Sequence, residues 1–384
     1  MAIFIGIEGV NMRRSFAIAA DETGKIVGAV REKFGMSLHI IPRDVLQSRL
    51  RRLIQEVAHS AGRDLNHLED AVICIGMTGV TFPYDAEIDL PREFAELDLT
   101  VKKLICTGDA EIVFASHVQT NFGAEILCHM GSMAYITKGP ETKDRFRVGG
   151  WGPALGDEGS GFWLGRVALR AIGEEYEKKD PGSFLWHSIS DWLSNPDPEV
   201  ASWNQARTKW NRILNDYVQN KYDDPRPAIF TFAHEIQREN PAVWREVASG
   251  LARVIIQSAM IEKDKFSEDI AQQAIYHLTE QFLQASKISK TFDDSLPFVL
   301  YGGVLTHNFE FRQKLIESIQ AKHPGTLTVI VPGSPDTMRP VCGALLFALA
   351  NADTGNLILP KSSVIDQVKS DPAVTKTNGQ LVND

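Results

Sequence analysis

The chain has 384 residues, 43% hydrophobic and 23% charged, with a formal net charge of −9. This composition is typical of a soluble globular protein, and the length favours two domains. The acidic charge argues against a general nucleic-acid surface, no apolar run is long enough to span a membrane, and the start "MAIFIGIEGV" lacks the pattern of a signal peptide.

The cysteines are scattered without a CxxC pair, at Cys74, Cys106, Cys128 and Cys342. This pattern indicates reduced thiols in a cytoplasmic protein and gives no metal signature. His39, His117 and His129 are isolated from one another and lack metal-ligand spacing, so we expect surface or core positions for them rather than metal binding.

The first part of the chain alternates strand and helix patterns. The run "AIFIGI" (2–7) and two strand-like pieces around the turn "DETGK" predict three antiparallel strands. Residues 42–62 predict a helix with Pro42 near its start and an apolar face. Further predicted elements are strands in "AVICIGM" (71–77) and "KKLICTGD" (102–109) and a helix in "AEIVFASHVQ".

The same order then restarts. The segment "EILCHMGSMAYIT" (125–137) reads as strand, glycine turn and strand, which loosely repeats the opening of the chain. A glycine-rich stretch and a mostly helical region from about 160 to 290 follow, in which 193–226 has the loop chemistry of an insertion. The last predicted elements are strands in "FVLYGGV" (298–304) and "LTVIVP" (327–332) and a helix in "PVCGALLFALANAD" (340–353).

This repeated order predicts an α/β fold of two related domains with a cleft between them. The predicted boundaries are 1–113 and 114–353, and the second domain carries the large helical portion. Residues 354–384 are polar and loosely patterned, so we expect a mobile tail there.

Nucleotide-binding patterns of the single-loop type are missing. No GxxxxGK[ST] motif occurs, which excludes a P-loop, and the glycines at 156–161 lack the spacing of a dinucleotide fingerprint. Separate glycine turns stand in their place: "GIEGVN" (6–11), "GMTGV" (76–80), "HMGSM" (129–133), "GGWGPALGDEGSG" (149–161) and "YGGV" (301–304). Backbone N–H groups in such turns can bind phosphates.

Asp109 is the main candidate for chemistry. It follows a predicted strand and precedes a predicted helix in "TGDA". An Asp in this position can cap the helix by accepting its free N–H groups. It can equally act as a general base at the strand end.

The stretch "GGWGPALGDEGSGFWLG" (149–165) resembles the signature of the N-acetylglucosamine kinase and BadF/BadG-type ATPase family, within the actin–hexokinase superfamily. The resemblance covers roughly residues 1–350. In order along the chain, "GIEGVNMRRS" is similar to the first phosphate hairpin, "GMTGV" to a sugar-side turn and "HMGSM" to the second phosphate turn. "YGGV" and "PVCGALLFA" resemble the adenosine-side turn and the closing helix.

The resemblance implies an ATP-dependent kinase, with ATP and Mg²⁺ as cofactors and a sugar or related polyol as acceptor. It makes Asp109 the general base that takes the proton of the attacking hydroxyl. The implied sugar-binding residues are Gly150, Trp151, Gly152, Asp157, Ser132 and Thr78. The implied ATP-binding residues are Glu8, Gly9, Asn11, Gly131, Gly302 and Gly303, and Glu8 would also reach the metal through water.

The phosphate turns depart from the family pattern. In the first hairpin Val10 and Asn11 stand where the family has glycines and Met12 where it has Thr, and in the second turn, usually Gly-Thr-Gly-Ser, His129 and Met130 replace Gly and Thr. Bulkier side chains there take space and remove a hydroxyl donor.

Two hypotheses follow. The first is a working kinase for an amino sugar such as N-acetylglucosamine or glucosamine, or for a related polyol. The second is a weak or inactive kinase-like protein that acts as a ligand-binding sensor or assembly partner. The retained acids favour the kinase. The expected partner is a small-molecule sugar, without nucleic acid or membrane, in the cytoplasm, and a homodimer is left open.

Overall fold

The computed structural model describes residues 2–10, 14–80, 85–179, 184–195, 201–220, 222–292, 294–331, 338–351, 359–371 and 374. These residues form two five-stranded mixed sheets and the helices that cover them. The predicted α/β class and the predicted two-sheet arrangement are confirmed.

The first sheet has the order β3-β2-β1-β4-β5. Its strands are β1 (Phe4–Gly9), β2 (Ser15–Ala20), β3 (Ile26–Glu32), β4 (Val72–Met77) and β5 (Lys103–Gly108). The first three run antiparallel, as predicted, whereas β4 pairs parallel with β1 and β5 pairs parallel with β4. Parallel pairing brings the carboxyl ends of β1, β4 and β5 to one edge of the sheet.

The second sheet repeats this arrangement as β10-β9-β6-β7-β8. Its strands are β6 (Gly123–Cys128), β7 (Ser132–Thr137), β8 (Arg145–Gly149), β9 (Leu296–Tyr301) and β10 (Leu327–Ile330). Again three strands are antiparallel, β9 pairs parallel with β6, and β10 pairs parallel with β9. The predicted repeat is therefore present at the level of topology, and β8 is a strand that the sequence patterns did not reveal.

The helices are α1 (Arg43–Ser60), α2 (Leu90–Ala95), α3 (Asp109–His117), α4 (Gly161–Glu177), α5 (Phe184–Ser194), α6 (Ala201–Gln219), α7 (Ala228–Glu239), α8 (Pro241–Met260), α9 (Lys265–Ser289), α10 (Gly303–Thr306), α11 (Phe309–Gln320), α12 (Pro340–Ala350) and α13 (Ser362–Ser370). The predicted helices are present as α1, α3, α4 to α9 and α12, and the described part of the chain adds four others. Helices α4 to α9 make up the predicted helical region, and α6 lies within the segment predicted to be an insertion. That interpretation, like the domain boundaries, stays a prediction.

A shared core joins the two sheets. Helices α3 and α12 pack against each other and against the first sheet, and α3 also contacts β6 and β9 of the second. Leu127, Met133 and Val299 of the second sheet belong to the same buried cluster as these two helices. A Cβ on Gly343 of α12 would overlap the Ile112 carbonyl oxygen of α3, so only glycine allows this close approach. Helix α3 is thereby held at the junction of the sheets.

The expectation of a mobile tail is wrong for residues 362–371. This segment forms α13, whose Ile365 and Val368 are buried in the core shared with α12. The Asp371 carboxylate also accepts a hydrogen bond from the Ile26 N–H of β3, at 3.2 Å. The polar composition concealed a short amphipathic helix because only two of its side chains need to be apolar to bury one face.

Candidate active site

Asp109 lies where three strand ends of the first sheet meet. It is the first residue of α3, directly after β5, and it is 6% exposed. The hydroxyl of Thr78, which follows β4, lies 3.0 Å from Asp109 Oδ2 and 3.1 Å from the Val10 carbonyl oxygen, so its one proton is shared between these two acceptors. The Thr78 N–H donates to the Gly9 carbonyl oxygen at 3.1 Å. The ends of β1, β4 and β5 are therefore fastened around one carboxylate.

Asp109 also begins its helix. Its Oδ1 accepts the Ala110 N–H at 3.1 Å. Asp109 therefore both contacts the start of its helix and lies at the junction of the strand ends. An anion at a helix N-terminus is stabilised by the helix dipole. One oxygen is engaged by the helix and the other faces Thr78 and the second sheet.

His129 brings the second sheet to Asp109. It stands in the turn between β6 and β7, and its Nε2 lies 3.7 Å from Asp109 Oδ2. Its Nδ1 accepts the Met130 N–H at 2.9 Å. The sequence alone predicts an isolated surface or core position for His129. The sequence feature that could have indicated a role was that His129 stands where the family has a glycine in the second phosphate turn.

The electrostatic surroundings keep Asp109 ionised. Burial alone would raise its pKa, but the neighbouring His129 imidazole, the charge of Arg147 and the hydroxyl of Thr78 together lower the pKa below its usual value. A carboxylate with a lowered pKa is present as the anion at neutral pH, which is the form that accepts a proton.

Two further acids lie near Asp109 and behave differently. Burial raises the pKa of Glu111, and burial together with the charges of Asp109 and Glu111 raises the pKa of Glu125 well above its usual value. The Glu125 carboxyl has no hydrogen-bond partner among the described residues. The three carboxyls are thus driven apart in pKa, and Asp109 is the one held as an anion.

Asp157 lies beside the second phosphate turn. It is 3% exposed and has a left-handed backbone with φ of 65°. Burial raises its pKa, while the charge of Arg245, the N–H groups of Ser132 and Gly152 and the charge of His129 oppose this shift. A Cβ on Gly131 would stand 3.1 Å from both Asp157 carboxylate oxygens. Asp157 and Gly131 are therefore neighbours, although 26 positions separate them.

Ser132 fastens the glycine-rich stretch to the second sheet. Its hydroxyl donates to the Glu158 carbonyl oxygen at 2.7 Å, and its own carbonyl oxygen accepts the Gly150 N–H at 2.8 Å. The Ser132 hydroxyl thus already has a partner within the protein. Its predicted contact with the sugar stays a prediction.

Trp151 and Gly152 face outward. Trp151 is 70% exposed, and a Cβ on Gly152 would meet no atom within 4 Å. Gly150 is held from below by Arg147, whose guanidinium donates to the Gly149 and Gly150 carbonyl oxygens. Trp151 and Gly152 therefore lie on the solvent-accessible side of this segment.

Not every glycine in the stretch serves this open side. A Cβ on Gly165 would overlap the Ala248 carbonyl oxygen of α8, so glycine there lets α4 and α8 pack closely. Gly165 is therefore required by helix packing and not by the open side of the stretch.

Glu8 has a partner within the protein. Its Oε2 accepts the Val341 N–H in the first turn of α12 at 3.0 Å. It is 4% exposed, and burial raises its pKa to about 7 in spite of the nearby Arg339. Glu8 thus ties the end of β1 to α12, and its predicted contacts with ATP and metal stay predictions. Asn11 and Met12 lie outside the described residues.

The predicted adenosine-side turn lies against the second phosphate turn. Gly302 has φ of 107°, and a Cβ on it would overlap the Cys128 carbonyl oxygen at the end of β6. Gly303 begins α10 with no backbone atom close to its Cβ position. The turns that carry Gly9, Gly131 and Gly302 therefore all border the region around Asp109 and His129.

The sequence of this chain matches the model of a known protein family. The model of the BadF/BadG/BcrA/BcrD ATPase family matches residues 14–348. The chain belongs to this family. The predicted resemblance is confirmed over most of the chain.

Two curated proteins that are similar in sequence to this chain are named as kinases. An N-acetylmuramic acid/N-acetylglucosamine kinase of Clostridium acetobutylicum is 33% identical over 147 residues, which are 38% of this chain and 45% of the relative. An N-acetyl-D-glucosamine kinase of Dictyostelium discoideum is 27% identical over 210 residues, 52% of this chain and 64% of the relative. The matches span less than two thirds of either relative.

Solved structures confirm the fold of this family member. A protein from Chromobacterium violaceum assigned as an N-acetylglucosamine kinase superposes with a TM-score of 0.58 at 16% identity, covering 91% of this chain and 99% of that one. A protein from Porphyromonas gingivalis with the same assignment gives a TM-score of 0.53 at 18% identity, with the same coverage. At these identities the likeness shows the fold.

The helices in the described ranges include none long and apolar enough to cross a membrane. Within those ranges, no three His, Cys, Asp or Glu side chains come together as a metal site.

Proposed function

We propose that this protein is an ATP-dependent carbohydrate kinase that phosphorylates a hydroxyl of an amino sugar, such as N-acetylglucosamine or glucosamine, or of a related polyol. Family membership and the names of the two curated relatives support this class of reaction. The observation that carries the proposal is Asp109, a buried carboxylate with a lowered pKa where the two sheets meet.

Asp109 is the general base in this proposal. It accepts the proton of the acceptor hydroxyl while that oxygen bonds to the terminal phosphorus of ATP and the bond to ADP breaks. Thr78 orients the carboxylate oxygen by its hydroxyl. Phosphoryl transfer depends chiefly on positioning and charge neutralisation, so a rigidly held base at a water-poor junction suits it.

The sugar is proposed to bind over Trp151, with Asp157 accepting hydrogen bonds from its hydroxyls. The exposed ring and the open space beside Gly152 leave room for a polyol. The nucleotide is proposed to lie along the turns of Gly9, Gly131 and Gly302, where the open position at Gly303 allows close approach to the backbone. Closure of two domains, 1–113 and 114–353, would exclude water.

The residues fit Mg²⁺ less well than they fit the sugar and nucleotide. A metal ligand must be ionised, whereas Glu8 is buried with its pKa raised to about 7 and one oxygen engaged by Val341. We therefore derive no step through the metal. Mg²⁺ in such reactions is held mainly by the phosphates and one or two carboxylates.

The test is ADP release coupled to product mass, measured over a panel of hexoses, amino sugars and cyclitols. We expect one class to be phosphorylated, and D109N to lower kcat about 10²- to 10⁴-fold with sugar affinity retained by calorimetry. Normal turnover by D109N would remove Asp109 from the role of base. Sugar binding without transfer in the wild type would overturn the kinase proposal in favour of a sensor.

A further inference from the structure

The contact between His129 and Asp109 crosses from one sheet to the other. His129 belongs to the turn after β6 in the second sheet, whereas Asp109 follows β5 in the first. The Nε2 to Oδ2 distance is 3.7 Å, the His129 side chain is 26% exposed and the Asp109 side chain is 8% exposed. A half-buried imidazole thus borders the carboxylate that the proposed function uses as its base.

The backbone of the turn selects the tautomer of this histidine. Nδ1 accepts the Met130 N–H at 2.9 Å and lies 3.4 Å from the Gly131 nitrogen. Since Nδ1 is an acceptor, the neutral ring carries its proton on Nε2, the nitrogen that faces Asp109. The local structure therefore presents a donor to the Asp109 oxygen.

We propose that His129 is a positioning residue for Asp109, which holds the carboxylate through its Nε2–H across the junction of the two sheets. This role rests on the proposed function of Asp109 as the base.

The observed distance links the pairing to closure. A separation of 3.7 Å exceeds the usual 2.7–3.2 Å of an N–H···O hydrogen bond. Catalytic hydrogen bonds are often long before substrate binds and shorten in the complex. An approach of the two sheets by about half an ångström would complete this bond, so the base would be fully oriented only in the closed protein.

The charged groups around Asp109 and His129 favour a hydrogen-bond donor facing the Asp109 carboxylate. His129 neighbours both Asp109 and Asp157 and acts to lower the pKa of each. The charge of Arg147 also lowers the pKa of Asp109, while burial raises the pKa of the neighbouring Glu111 and Glu125 and shifts them toward their neutral forms.

Two amide substitutions separate positioning from turn structure. In H129N the side-chain oxygen takes the place of Nδ1 and accepts the Met130 N–H, but nothing reaches Asp109. In H129Q the side-chain NH₂ takes the place of Nε2 and donates to Asp109. Selective ¹³C labelling of aspartate carboxyls follows the titration of Asp109 by NMR without any need for activity.

We expect the titration midpoint of Asp109 to rise in H129N and to lie nearer the wild-type value in H129Q. With the phosphorylated sugar as readout, kcat should fall roughly tenfold to a hundredfold in H129N with little change in the KM for ATP. The acid limb of its pH profile should move to higher pH, because the base must be ionised. H129Q should recover most of kcat.

Equal titration midpoints of Asp109 in the wild type and H129N would overturn the proposal. A larger loss of kcat in H129Q than in H129N would also overturn it, because that order is expected if His129 acts only on the structure of the turn. A wild type without kinase activity that still shows the H129N shift would sink the proposed function and leave the pairing established.

Discussion

At the scale of single residues, the site depends on how Asp109 is surrounded. The motif "TGDA" identified the residue, and its place at a strand end followed from the apolar run before it. Its ionisation state could not be predicted, because it depends on Thr78, His129 and Arg147, which approach from other strands and turns. The predicted sugar contact of Thr78 stays a prediction, and its hydroxyl lies 3.0 Å from Asp109 Oδ2, a contact that the sequence did not reveal.

The first prediction concerns that hydroxyl. T78V should raise the pKa of Asp109, because it removes a donor to the ionised form. Activity requires the anion, so the acid limb of kcat/KM should move to higher pH by roughly one pH unit, while Asp109 stays ionised at neutral pH. The pH profile of sugar phosphorylation measures this.

T107V is the matched control for T78V. Thr107 is fully buried in β5, two residues before Asp109, and its hydroxyl has no hydrogen-bond partner among the described residues. The same change of hydroxyl to methyl should leave the acid limb in place. An equal displacement in both variants would contradict the role given to Thr78.

At the scale of elements, α12 links the first sheet to the junction. A Cβ on Gly6 of β1 would overlap the Leu345 nitrogen, so the helix lies directly on the strand. Glu8 accepts an N–H in its first turn. The sequence predicted the helix from Pro340 and its apolar run, but not that its end is bound by an acid 333 positions away.

The second prediction concerns Glu8. Its pKa is about 7 when folded and about 4.5 when unfolded. The unfolded chain therefore releases the proton first, and the wild type loses stability as pH rises from about 4.5 through 7. E8Q keeps the acceptor for Val341 and carries no charge, so it should be more stable than the wild type by roughly 3 kcal/mol at pH 8.

Most of this difference should vanish at pH 5, where Glu8 is protonated in the folded state. Urea unfolding of both proteins at pH 5 and pH 8 measures it. A stability difference that is the same at the two pH values would mean that Glu8 is ionised in the folded protein throughout.

At the scale of the whole molecule, two sheets of the same topology share one core through α3 and α12. That core also takes in α13, from a region whose composition indicated a mobile tail. Burial of Ile365 and Val368 against elements from the start of the chain is a long-range contact, which periodicity within a short polar segment does not reveal.

The third prediction is made for that segment. A chain ending after residue 360 should melt at a lower temperature, because burial of Ile365 and Val368 contributes roughly 1.5–3 kcal/mol each and the Asp371 bond to β3 is lost. A chain ending after residue 374 retains both and is the control. Calorimetric scans that place the two truncated chains together would contradict the packing of α13.

The amino-acid sequence by itself indicated most of the strands and helices in their order, though not β8 or α13, together with the repeated topology and the candidate residue Asp109. These features depend on local apolar periodicity and on motifs in a fixed order, which a single chain displays. The tertiary structure alone decided that Asp109 is the ionised acid, that His129 faces it and that Glu8 is bound to α12. Burial and charge arise from residues far apart in the chain, so they exist only after the two sheets have packed together.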